Sequence, residues 1–302
     1  MSRTKKVWLI VAACLCGGGV LIMASAFLFG GLFFWDMETG KYETNEYVVS
    51  GEVREIAINT DTADVSLVLT EDTDYRVVCH EETHAKHSVQ IADGVLSVRI
   101  HNARKWYDYI NVSFESASIT VYLPQSAYGA LRVKTDTGRV EIPETFSLGT
   151  LEISTDTGDI VCDAPVAGDV KLQSDTGDVR FGGADAGAFS VQTSTGSVHV
   201  EGTKVSAGLA AKTSTGEIAL DGVIAAGAME ITSSTGEVEL SFCDASRLQI
   251  KTSTGEVEAT LLSEKQVDAD SSTGDVDVPR NGHGGACVIR TSTGDITVRF
   301  AS

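Results

Sequence analysis

Proline is nearly missing from this chain, 4 of 302 residues against 30 glycines, so its turns are glycine turns. Basic residues are scarce as well. Lys and Arg number 23 against 42 Asp and Glu, a net charge of -19. That balance excludes non-specific binding to nucleic acid or to an anionic lipid surface. The hydrophobic share of 42% excludes a disordered acidic tail. Cysteines are only 6. Cys14 and Cys16 fall in an apolar amino-terminal run, and the other four occupy unlike places in the pattern described below. Their placement argues against disulfides and for buried free thiols.

Charge is absent altogether from Val7 to Trp35, a run of 29 residues. A spanning helix needs about 20 such residues. Arg3, Lys5 and Lys6 precede the run, and the first acidic residue is Asp36. The basic flank predicts residues 1–6 in the cytoplasm, 7–35 as a single-pass anchor, 36–46 as a juxtamembrane stalk and the remainder outside the cell membrane. Two cleavage readings compete with a retained anchor. Ala24-Ser25-Ala26 fits a signal peptidase, and Val11-Ala12-Ala13-Cys14 fits a lipobox, although only Val7 to Ile10 precede it.

The rest is a repeat. Thr135-Asp136-Thr137-Gly138, Thr155-Asp156-Thr157-Gly158, Ser174-Asp175-Thr176-Gly177 and Thr193-Ser194-Thr195-Gly196 open a series that continues through Gly216, Gly236, Gly255, Gly274 and Gly294. The spacing is 19 or 20 residues throughout. Counting from each glycine, apolar residues recur at -7, -5, +2 and +4, as in Leu131, Val133, Val140 and Ile142. Period-2 spacing on both sides of a glycine predicts two half-buried strands meeting at a corner. A unit this short has no core of its own and must stack. We therefore expect an all-β, right-handed parallel β-solenoid, β-helix-like, with rungs of about 20 residues and about 4.8 Å apart, preceded by one amino-terminal transmembrane helix. A leucine-rich repeat is disfavoured, because the units lack the Asn ladder and a helical half.

Ile56, Ile58, Thr60-Asp61-Thr62-Ala63, Val65 and Leu67 match the same offsets with Ala63 in the glycine place. Residues 47–130 are otherwise irregular, and read as a β-rich first section capping the solenoid of residues 131–302. Asp93-Gly94 could turn a hairpin or a rung corner there. The last unit runs to Arg299-Phe300-Ala301-Ser302 with no evident cap, so self-association or docking through an uncapped carboxy-terminal rung is an expectation.

The Ser/Thr-Asp/Ser-Thr-Gly-Asp/Glu-Val/Ile units, together with Ile119-Thr120-Val121-Tyr122-Leu123-Pro124, resemble the bacterial putative-adhesin domain-of-unknown-function family (DUF4097-like) over roughly residues 47–300. The resemblance implies a β-helix-like fold and a surface-exposed, often membrane-anchored protein. Some members of the family look tied to envelope stress responses. It brings no catalytic residues.

Several constellations bear on chemistry. His80-Glu81-Glu82-Thr83-His84 spells H-E-x-x-H, with His87 close behind. A zinc protease needs both histidines on one helical face, whereas this segment lies between strand patterns and reads as a charged connection. The Thr-x-Thr ladder resembles ice-binding surfaces, but parity turns the -3 hydroxyls inward, where corner residues bond between rungs. Position +1 carries Asp159, Asp178, Glu217, Glu237, Glu256, Asp275 and Asp295, a carboxylate stripe that reads as a solvated turn edge or a collector of divalent cations. Arg104-Lys105-Trp106-Tyr107-Asp108-Tyr109 is the one dense aromatic cluster outside the anchor, and Trp106, Tyr107 and Tyr109 are candidate ligand-binding residues. We expect no catalytic residues, no cofactor and no resident metal. The chain reads as a non-catalytic envelope interaction or stress-sensing module whose partner is an envelope protein or cell-wall component. The alternatives are an adhesin-like binding protein and, in another class, a metal-dependent or polysaccharide-acting enzyme on a β-helix.

Overall fold

A computed structural model describes residues 41–102, 115–280 and 282–301. The segment read as a membrane anchor, its Cys14 and Cys16, and the candidate binders Trp106, Tyr107 and Tyr109 lie outside the described residues. Every regular element within them is a β-strand. Among the described residues no helix is long and apolar enough to cross a membrane.

Each repeat supplies one strand before its glycine and one after it. Val170–Thr176 lies parallel between Ser147–Thr157 and Phe189–Thr195, and Val179–Phe181 lies parallel between Ile160–Cys162 and Val198–Glu201. The result is a β-solenoid of about 8 turns. Because the period equals one turn, equivalent residues stand directly above one another. Leu131, Leu151, Val170, Phe189, Leu209, Met229 and Leu248 form one such column, all buried. Parallel pairing makes every inward place a stack of near-identical side chains, so a small inner face repeated along the axis becomes one continuous core. Phe181 meets Phe189 edge-on inside it, ring centroids 4.9 Å apart.

The glycine column lets the corners close to the rung spacing that the backbone hydrogen bonds impose. All nine repeat glycines have φ between 136 and 157°, outside what a side chain tolerates. A Cβ on any of them would fall on the carbonyl oxygen of the residue in the glycine place one rung away. Three residues earlier, the Thr or Ser turns inward at the corner, as parity requires. Ser174, Thr193 and Thr213 donate to the carbonyls of Gly158, Gly177 and Gly196 at 3.1, 3.0 and 3.0 Å. These hydroxyls satisfy the carbonyls of a corner that side chains cannot otherwise reach.

Stack order departs from chain order at both ends. We number the first strands β1 (Tyr42–Val49), β2 (Glu55–Asn59), β3 (Asp64–Thr70), β4 (Tyr75–Glu82), β5 (Ala85–Ala92), β6 (Val95–Asn102), β7 (Ser118–Pro124) and β8 (Ala127–Thr137). The Ala63 unit, β2 and β3, stacks straight onto the Gly138 repeat, with Ile56 opposite Leu131 and Val65 opposite Val140. Beyond it lie β6 and β7, still parallel. Antiparallel strands then close the end. β5 pairs with β6, β4 with β7, and β1 with β4. Asp93 and Gly94, at φ 53 and 80°, make the β5–β6 hairpin turn. Residues 42–46, read from the sequence as stalk, are the first part of β1.

At the other end the last two repeats exchange places. Ala286–Thr293 lies between Val238–Lys251 and Gln266–Thr273, and Ile296–Phe300 lies between Val257–Leu261 and Val276–Asp277. The carboxy-terminal rung is therefore not the open one, which corrects the premise of the docking expectation. The edge belongs to the Gly274 repeat. Its inward places hold Val267, Ala269, Val276 and Val278, none of them fully buried, and its outward ones Asp268, Asp270, Asp275 and Asp277. The last repeat offers Cys287, Ile289, Ile296 and Val298, all fully buried. The more apolar unit is thus covered, and the acid-rich one guards the edge against further strand pairing. Arg290 and Arg299 reach across to Asp268 and Asp277, each at 2.6 Å.

Candidate functional site

The segment His80-Glu81-Glu82-Thr83-His84 ends β4 and enters a two-residue turn, Thr83-His84, that carries the chain to β5 in the other sheet face. No helix forms, so the two histidines of the motif do not converge. His80 is half-buried on the outer side, stacked on Tyr42 with centroids 5.2 Å apart and 3.2 Å from Thr44 Oγ1. His84 is exposed on the turn. The protease geometry is not built.

What is built there is a different cluster. β4 alternates, so Tyr75, Val77, Cys79 and Glu81 all face inward. His87, from β5, meets them across the corner. Cys79, Glu81 and His87 are buried, with one donor atom from each lying within 4.8 Å of the others. His87 Nδ1 is 2.5 Å from Glu81 Oε2, and the His87 backbone N–H donates to the same oxygen at 2.6 Å. Asn45 Nδ2 donates to Glu81 Oε1 at 2.8 Å. His87 Nε2 lies 2.8 Å from Thr60 Oγ1, the hydroxyl that occupies the inward corner place of the Ala63 unit. The Tyr47 hydroxyl donates to the His87 carbonyl at 2.8 Å. Burial, and after it the Glu81 charge, pushes the Cys79 thiol up to about 12; the same two causes push Tyr47 to about 12. A carboxylate this deep is tolerated because both of its oxygens are hydrogen-bonded, Oε1 by Asn45 and Oε2 twice by His87. Reading the H-E-x-x-H segment as a plain charged connection missed this group. The available signal was parity, since Glu81 falls on the side of Val77 and Cys79.

The carboxylate stripe takes two forms. Three of the four Asp at position +1 accept the backbone N–H of the neighbouring rung: Asp159 from Asp178 at 3.0 Å, Asp178 from Ser197 at 2.7 Å, and Asp295 from Asp275 at 2.8 Å. Glu217, Glu237 and Glu256, on three successive rungs, point outward instead. Glu237 is held above the usual carboxylate range, first by burial and then by Glu217, Glu256, Glu239 and Glu258. Cys79, Cys162, Cys243 and Cys287 are free and buried, as expected from their unlike places. Phe242 is half-exposed at φ 54°, where the two preceding rungs carry Gly202 and Gly222 at φ 62 and 63°.

The family model Toastrack DUF4097 matches residues 53–261 and 207–302. The chain belongs to this family. Solved structures resemble this Toastrack chain at low identity. A crystal structure described as a putative adhesin from Bacteroides fragilis is 17% identical, with TM-score 0.45, covering 85% of this chain and 97% of that one. One described as a putative lipid binding protein from Parabacteroides distasonis is 14% identical, with TM-score 0.41, covering 87% and 98%. A third, described as a putative adhesin from Parabacteroides merdae, is 10% identical, with TM-score 0.31, covering 87% and 97%. No curated protein matches the Toastrack chain.

Proposed function

We propose that this Toastrack protein is a membrane-anchored, extracytoplasmic interaction module of the cell envelope, binding a protein or cell-wall partner without turnover. The observation that carries the reading is the in-register ladder itself. It repeats the same outward places on successive rungs, so a partner meets a regular rigid face rather than a cleft. The uncharged run Val7 to Trp35 behind Arg3, Lys5 and Lys6 supplies the anchor and the orientation. Net charge directs the choice of partner toward neutral or basic surfaces. A stress-sensing role follows if partner occupancy is transmitted through the anchor.

The test is photo-crosslinking in cells from outward places such as Lys212 and Lys251, with externally added protease to report topology. The reading expects discrete adducts with envelope components and an ectodomain cleaved from outside. Protection of the ectodomain in intact cells, or hydrolysis of a polysaccharide by the purified chain, overturns it.

A further inference from the structure

We propose that Cys79, Glu81 and His87 form a buried binding site for a divalent transition-metal ion of the zinc type, which locks the corner between β4 and β5 to the first rung. The proposal is independent of the partner reading above.

Three observations point to it. The first is donor chemistry. One thiol, one carboxylate and one imidazole within 4.8 Å of one another are the ligand set of a borderline-soft ion, and a poor one for calcium or magnesium. The second is the arrangement behind the donors. Each ligand with a second polar atom has that atom engaged elsewhere, with Glu81 Oε1 on Asn45 Nδ2 and His87 Nε2 on Thr60 Oγ1, both at 2.8 Å. Outer contacts of this kind orient metal ligands and fix the imidazole tautomer. They leave Glu81 Oε2 and His87 Nδ1, which bond to each other in this structure, as the pair beside Cys79 that an ion would part. The third is charge. A thiolate and a carboxylate together neutralise a divalent cation, so the loaded site is uncharged in a place where all three side chains are buried.

Proton balance is simple. On binding, Cys79 Sγ gives its proton to solvent and its lone pair to the metal. The imidazole proton moves from Nδ1 to Nε2 and stays there, its N–H donating to Thr60 Oγ1, while Glu81 Oε2 gives up its contact with Nδ1. That contact widens to about 3.3 Å, the separation of two ligands on a tetrahedral ion bound at about 2.0 Å. Three protein donors leave the fourth position to water. Burial of all three donors shuts substrate out, so the ion's role is structural rather than catalytic.

The experiment is metal analysis of the full chain, purified without chelator or polyhistidine tag, and titration of the stripped chain with Co²⁺. The proposal expects about one zinc per chain and a thiolate-to-cobalt charge-transfer band. It expects Cys79→Ser to abolish the band, Thr60→Val to weaken affinity roughly 10- to 100-fold, and His84→Ala to change neither. Should the corner variants misfold, the wild-type titration still decides. Failure of the folded wild-type chain to take up zinc or cobalt overturns the site, as does a metal held by His80 and His84 that survives Cys79→Ser.

Discussion

Leu248 pairs across the sheet with Cys287 of the last repeat, and not with Val267 of the repeat that follows it in sequence. Val267 lies on the far side of Cys287, so the final turn of chain is wedged between its two predecessors. The exchange gives the solenoid an acid-rich outer strand, and it can be tested directly.

Lys251 faces Arg290, and Arg290 faces Asp270. One rung is about 4.8 Å and two are about 9.6 Å, and only the first suits a disulfide. Lys251→Cys with Arg290→Cys should oxidise to a crosslink under mild conditions. Lys251→Cys with Asp270→Cys should not. Mapping the bond by peptide mass spectrometry distinguishes the exchanged stack from a sequential one, in which the second pair would close.

The glycine column leaves no room for a Cβ. In Gly216→Ala the methyl group would fall on the Gly196 carbonyl oxygen, at a φ of 139°. Backbone strain alone is of order 1–3 kcal/mol, and the clash adds to it. We expect a loss of at least about 2 kcal/mol, read from urea unfolding. Phe242→Gly should move the other way, because it relieves a left-handed residue whose ring is half in solvent.

The corner hydroxyls are not equivalent. Thr193 Oγ1 donates to Gly177 O at 3.0 Å, while Thr155 Oγ1, equally buried, has no partner. Thr193→Val should cost about 1 kcal/mol by stranding the carbonyl. Thr155→Val should raise stability, by up to about 1 kcal/mol, since it removes an unpaired buried hydroxyl. Paired denaturation curves check the sign of each.

Glu237 is held above the usual carboxylate range by burial and by four neighbouring carboxylates. A carboxyl whose pKa rises on folding binds its proton more tightly in the folded chain. Its charge therefore destabilises the fold above that pKa, and the penalty fades as pH falls through it. Glu237→Gln should melt higher than the parent at pH 7. The gap should close below about pH 4 and shrink in about 1 M salt. An unchanged gap across pH and salt would show that the stripe is not electrostatically coupled.

Much of the molecule was legible because a period of 19 or 20 residues ties local pattern to global form. Leu131 and Val133 before Gly138, and Val140 and Ile142 after it, already state which side of each strand is inward, and equality of period and turn makes the register automatic. The inward Thr at -3 and the free buried thiols at Cys162 and Cys287 follow from the same parity. The site was less legible. Glu81 and His87 belong to strands in different sheet faces, and the H-E-x-x-H spelling points to His80 and His84, which do not converge.

The sequence alone determined the rung, its corner glycine, its core places and the family. Those depend on local sterics and on two-residue alternation, which any chain segment carries within itself. Only the tertiary structure decided which rung lies on which. The Ala63 unit meets Gly138 across 75 residues, and the last repeat slides beneath the one before it. Stacking affinity between near-identical units is almost indifferent to chain order, so the outcome rests on small differences in apolar burial and edge charge that no single repeat displays.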